Sequence, residues 1–133
     1  MFSHYSDQHR GVCIEFKVTQ DTFYQDMVQV EYGNYPTIKL ADFPNRNASW
    51  LNAELASKFS GWGHEKEWRL LRMNGPKVYS FPEQLLTGVI FACNTSDEDK
   101  RLIMELAKKR QHPLKFYQAK KNNGDYSLDI VPE

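Results

Sequence analysis

Eight consecutive residues concentrate the reactive groups of this chain: Trp62-Gly63-His64-Glu65-Lys66-Glu67-Trp68-Arg69. Two carboxylates, a guanidinium, an imidazole and two indoles stand within them. A Glu-x-Glu pair suits glycosyl-transfer-type chemistry, in which one carboxylate stabilises an oxocarbenium-like centre and the other activates the nucleophile. It suits equally an ion-pair ladder that fixes strand register. On a strand, Glu65, Glu67 and Arg69 share one face, and Lys66, Trp68 and Leu70 take the other. Burying an unpaired charge is costly, so the charged row must face solvent or find partners.

A second group lies near the start: His4, Asp7 and His9. On a helix His4 and Asp7 share a face, as do Tyr5 and His9. A His-Asp pair can position an imidazole for proton transfer, or serve as a local cap. Two histidines and a carboxylate can also ligate a metal, but their spacing matches no established ligand pattern, and no metal ligands are assigned. Asp7 with Glu15-Phe16-Lys17 has the D…E-x-K layout of metal-dependent nucleases. An alternating strand produces E-x-K just as readily.

The elements that must carry these groups follow from periodicity. Residues 2–10 predict a helix or turn. Val12 to Val18 alternates as a strand, with Val12, Ile14, Phe16 and Val18 toward the core. A helical turn at 20–26 precedes a strand over 28–32, which Gly33-Asn34 and Pro36 end. Residues 47–60 predict a helix on Leu51, Leu55 and Phe59, with Gly61 as its stop. The charged row follows as a strand over 64–73. Asn74-Gly75-Pro76 turns the chain, and 77–81 pairs back as a hairpin. Residues 88–93 are apolar throughout, as in a central strand covered on both faces. Ser96 caps a helix over 97–111, with acids in its first turn, bases in its last and Pro113 beyond. Its predicted buried stripe is Leu102, Ile103, Leu106 and Ala107. Strands over 114–119 and 126–131 complete the chain. The expectation is one α+β domain spanning residues 1–133, with a mixed or largely antiparallel sheet of about five to seven strands and two main helices.

Composition narrows the function. The chain has 133 residues, enough for one domain with one core. Its 17 basic and 17 acidic residues cancel, so it lacks the basic field of a dedicated nucleic-acid protein. The basic stretch through Lys108, Lys109 and Arg110 complements a helix C-terminus. Cys13 and Cys93 sit apart in apolar runs with no metal spacing, which predicts free thiols and a reducing compartment. No apolar run approaches the roughly 20 residues of a membrane span. A cytoplasmic protein without membrane contact is expected.

The two reactive blocks also resemble a family. Ser3-His4-Tyr5-Ser6-Asp7-Gln8-His9-Arg10-Gly11-Val12-Cys13 is similar to the S-H-Y-x-D-x-H-x-G-x-C signature of a bacterial family catalogued as a domain of unknown function. Lys58, Trp62, Glu65, Glu67 and Arg69 resemble its K-x-x-x-W-x-x-E-x-E-x-R block. Phe2 stands where that family has tryptophan, and Ala92 where it usually has glycine. Members normally carry a further N-terminal F-N-D-P-like motif, which this chain lacks. The resemblance implies no activity.

Three functional expectations result. The first is a binding or assembly module, a homodimer using Trp50, Trp62, Trp68, Tyr32 and Tyr35 as an aromatic supply. The second is a nucleotide- or NAD-using transferase. Arginine-directed ADP-ribosyltransferases carry a similar E-x-E, and one branch of that fold draws His, Tyr and Glu from successive elements, as His4, Tyr32 and Glu67 stand here. Glu67 is then the essential carboxylate, with Glu65 and His4 as catalytic partners. Tyr32, Arg69, Trp62, Trp68, Asp7 and His9 are the candidate binding residues. The third is the metal-dependent nuclease. A cofactor is not assigned, and a small-molecule or nucleotide ligand is left open.

Overall fold

A computed structural model describes residues 8–34, 54–72, 75–125 and 127–133. His4, Tyr5, Asp7, Tyr35, Pro36, Trp50 and Leu51 lie outside the described residues. The fold is α+β, and the chain gathers into two compact units. One comprises residues 1–19 and 79–133, the other residues 20–78. Among the described residues no helix is long and apolar enough to cross a membrane.

The first unit is built on a four-stranded mixed sheet. Strands β1 (Val12–Phe16), β6 (Leu86–Phe91), β7 (Lys115–Lys121) and β8 (Leu128–Pro132) stand in the order β1-β6-β7-β8. β1 runs antiparallel to β6, β6 parallel to β7, and β7 antiparallel to β8. A parallel neighbour demands a crossover, and helix α1 (Asp97–Ala107) supplies it between β6 and β7. The chain turns into α1 because the Ser96 hydroxyl accepts from the Asp99 amide at 3.1 Å.

Phe91 is the centre of this core. It is fully buried, and its ring stacks on Phe116 with centroids 5.8 Å apart. The Lys100 ammonium lies 5.6 Å from the centroid of Phe91, which places α1 over that face of the sheet. Val89, Ala92 and Ala119 are buried with it. Gly88 allows a close approach, since a Cβ there would meet the Lys115 carbonyl oxygen at 3.1 Å.

Three sequence expectations change here. The α1 stripe that turns inward is Lys100, Ile103, Met104 and Ala107, each half-buried at helical spacing. Leu102 and Leu106 face outward instead. The predicted core face of β1 is also more open than expected, with Ile14, Phe16 and Val18 exposed. β1 is an edge strand, and the α1 crossover covers its inner neighbours. Phe16 is partly sheltered by an edge-to-face contact with Phe81, at 5.1 Å between centroids. The predicted hairpin over 77–81 does not form, and those residues are irregular.

The second unit holds two short ladders. β2 (Met27–Gln29) pairs antiparallel with β5 (Trp68–Leu70), and β3 (Glu31–Gly33) pairs parallel with β4 (Ser57–Phe59). The single strand predicted over 28–32 is therefore two, meeting at buried Val30. The Val30 amide donates to the Glu67 carbonyl at 3.0 Å, and the Glu31 amide donates to the Ala56 carbonyl at 2.7 Å. Successive residues thus serve opposite neighbours. The strands predicted as one sheet fall into three sheets among the described residues.

The helix predicted over 47–60 does not reach its end. Glu54 and Leu55 are helical, then the chain becomes extended as β4 and tightens into a 3-10 helix over Ser60–Glu65. Gly61 is no helix stop. It sits under the Phe59 ring, where a Cβ would meet a ring carbon at 2.9 Å.

Candidate functional site

The charged block is not one strand. Ser60–Glu65 is a 3-10 helix, Lys66 takes a left-handed conformation with φ 48° and ψ 47°, and β5 begins only at Trp68. Strand alternation therefore cannot bring Glu65 and Glu67 together. The left-handed turn at Lys66 does so, folding both carboxylates back toward β4.

A lysine holds them there. Lys58 of β4 donates from its ammonium to Glu65 Oε2 at 2.5 Å and to Glu67 Oε2 at 3.1 Å. Arg69 reaches the same Glu67 carboxylate from β5. Its Nε donates to Oε1 at 2.7 Å and its Nη2 to Oε2 at 3.3 Å. The remaining arm of Arg69 donates to the Leu55 carbonyl. Tyr32, opposite Lys58 in the β3–β4 ladder, accepts the Glu67 amide on its hydroxyl at 2.7 Å. The Lys58 ammonium also lies 5.2 Å from the centroid of a Trp62 ring, and that indole neighbours the His64 ring.

Two anions and two cations thus form one network. Glu65 is nearly buried, its side chain 7% exposed. The Arg69 hydrogen bond, reinforced by Lys58, holds the Glu67 carboxyl below its ordinary range. The Lys58 ammonium is shifted up, first by its bond to Glu65 and then by Glu67. The Glu67 carboxylate therefore remains ionised at neutral pH. Each carboxylate is engaged by a cation of its own chain.

Five of the sequence candidates come together here: Glu65, Glu67, Arg69, Tyr32 and Trp62. Trp68 does not join them. It points away from Arg69 across β5 and is 54% exposed. His9 belongs to the other unit, adopts a left-handed φ of 66°, and accepts the Asn94 amide on its carbonyl at 2.8 Å. His4 and Asp7 lie outside the described residues. Glu15, the carboxylate of the nuclease layout, accepts the Thr87 hydroxyl at 2.6 Å. No group of three or more potential metal ligands occurs among the described residues.

Lys58 is the residue that sequence reasoning missed as part of the site. Its signal is present, since it opens the K-x-x-x-W block. Its two acids lie seven and nine residues on, beyond the i,i+3 and i,i+4 neighbours of a helix, so only the fold reveals the contact. A concave feature of the first unit lies elsewhere in the sequence. It is a cleft of about 620 Å³ at the carboxyl ends of β6 and β7, lined by Cys93, Asn94, Lys100, Gln118 and Glu133 among others. None of the charged-block residues lines it.

The turn at Lys66 makes a local prediction. A left-handed conformation costs a non-glycine residue roughly 1–2 kcal/mol. Lys66→Gly should therefore be neutral or stabilising in a urea melt. In a continuous strand over 64–73 the same change would cost about 0.5–1 kcal/mol.

A mixed four-stranded sheet with a crossover helix, joined in sequence to a unit built around a self-neutralised K…W-x-x-E-x-E-x-R block, defines an α+β protein of the kind the motifs foreshadowed. The chain belongs to the family described as protein of unknown function DUF2971, whose profile matches residues 1–70. That match contains both motif blocks. No curated protein and no solved structure matches the chain.

Proposed function

We propose that this protein is a small cytoplasmic accessory module that acts by binding and works as a homo-oligomer. The observation that carries the proposal is the closure of the charged block. Glu65 and Glu67 are held by Lys58 and Arg69, so the groups suited to catalysis are spent on scaffold. The same unit also presents large apolar side chains outward: Trp68 and Leu70 of β5, and Phe59 of β4. Large aromatics on an outer face are the usual anchors of binding surfaces. The balanced charge of the chain removes the self-repulsion that would oppose association.

Sedimentation velocity of the full chain tests the oligomer. Dimer growing in with concentration is expected, and monomer alone up to roughly 300 micromolar overturns it. A thermal-shift panel of NAD, nucleotides and divalent cations tests the transferase and nuclease alternatives. A ligand at 100 times its dissociation constant adds about 2.7 kcal/mol, which is easily read. No response is expected. Stabilisation by NAD that Glu67→Gln abolishes would establish the transferase instead.

A further inference from the structure

The outer face of α1 carries a regular pattern of exposed residues. The inward stripe is Lys100, Ile103, Met104 and Ala107. On the opposite side Leu102 and Leu106 are 58% and 54% exposed. They are not isolated. Asp99, Leu102, Leu106 and Lys109 recur at intervals of three, four and three residues, the spacing of a helix–helix seam. Asp99 and Lys109 are exposed as well, the first in the opening turn of α1 and the second just beyond its end.

We propose that α1 is the self-association surface of this protein, packing antiparallel against α1 of a second copy about a two-fold axis near Met104. The inference rests on the homo-oligomer part of the proposed function and says where that contact lies. The argument is one of symmetry. Leu102 and Leu106 are equidistant from residue 104, and so are Asp99 and Lys109. A two-fold axis there sets each leucine of one copy against the other leucine of its partner. It also sets each Asp99 against Lys109 of the other copy, twice per dimer. The surface is therefore self-complementary, as an isologous interface must be. Acids fill the first turn of α1 and Lys108 and Lys109 follow its end, so antiparallel packing matches charge along its whole length. Parallel packing would set like charges together.

The size of the helix fixes the strength. Eleven residues span about 16 Å, and two such helices bury less than the roughly 1,200 Å² of a stable standard interface. The dimer is accordingly weak and concentration-dependent, and it dissociates on dilution.

Sedimentation velocity over roughly 10 to 300 micromolar, on the full chain and three variants, tests the assignment. Leu106→Gln is expected to raise the dimer dissociation constant roughly tenfold or more, because each leucine is used twice. Lys109→Glu puts acid against acid at both ends and should raise it by a few fold. Trp68→Gln, in the other unit, should leave it unchanged. Leu106 is exposed, so the thermal midpoint of Leu106→Gln should match the parent, which separates loss of contact from loss of fold, while Lys109→Glu removes a cation from the helix C-terminus and should lower its midpoint slightly. A dimer that survives Leu106→Gln but is lost with Trp68→Gln overturns the α1 assignment and leaves the oligomer proposal standing. A chain that is monomeric throughout overturns both.

Discussion

Lys58→Met is expected to lower the thermal midpoint at neutral pH. In the parent, Glu67 has a folded pKa below its ordinary value of 4.5, so its contribution is present above that value and is lost as the pH falls through the folded one. Lys58 has a raised folded pKa, so its contribution is full below its ordinary 10.5 and is lost only as the pH rises through the folded value. Between those limits the network is fully formed and the midpoint should be flat with respect to this cluster. Removing the lysine leaves two carboxylates facing the space its ammonium filled, one of them nearly buried. Arg69 continues to compensate Glu67, while Glu65 loses its 2.5 Å bond from Lys58. Melts followed by circular dichroism at pH 7 read the loss. The neutral-pH loss should also exceed that of Lys108→Met, whose ion pair with Glu105 is exposed on both sides. Equal losses for the two variants would show that the network contributes no more than a surface pair.

The second large effect lies in the first unit. Phe91→Ala should cost about 3–5 kcal/mol in urea denaturation, the range for a fully buried aromatic truncated to alanine. Phe91 has no exposed surface, stacks on Phe116 and lies beneath the Lys100 ammonium. Its removal opens a cavity beneath α1, in the strand that bridges the antiparallel and parallel halves of the sheet. The flanking strands β1 and β7 are held in register with β6 and collapse poorly into the space. Leu106→Ala, on the outer face of α1, should cost far less in the same assay. A Phe91→Ala loss under about 1 kcal/mol would place this core elsewhere.

These expectations differ in how far the sequence anticipates them. α1 is legible in its cap, its acidic first turn and the proline beyond it. Those are local signals, and the Ser96 hydroxyl does bond the Asp99 amide. The apolar run around Val89 and Phe91 reads as a central strand, and β6 is central. The inward stripe of α1 lies one step out of phase with the predicted one. The run 102–107 offers two apolar faces, and periodicity alone does not say which one meets the sheet. The stretch 57–70 departs further from its pattern. Helical spacing carries the expected helix to residue 60, and alternation makes a strand of 64–73. The observed chain breaks both patterns with β4, a 3-10 helix and a left-handed lysine. Tertiary pairing of β4 with β3 and of β5 with β2 outweighs those propensities.

By itself the sequence determined the α+β class, the α1 helix with its cap, the C-terminal strands as elements and the two motif blocks. Each is written in neighbouring residues, where spacing and chemistry act locally. What only the tertiary structure decided was which partners Trp62 to Arg69 meet. Lys58 reaches Glu65 and Glu67 across the turn that follows β4, beyond the i,i+3 and i,i+4 neighbours of a helix. Charge is long-ranged and promiscuous along a chain, and a folded backbone fixes which partner it meets.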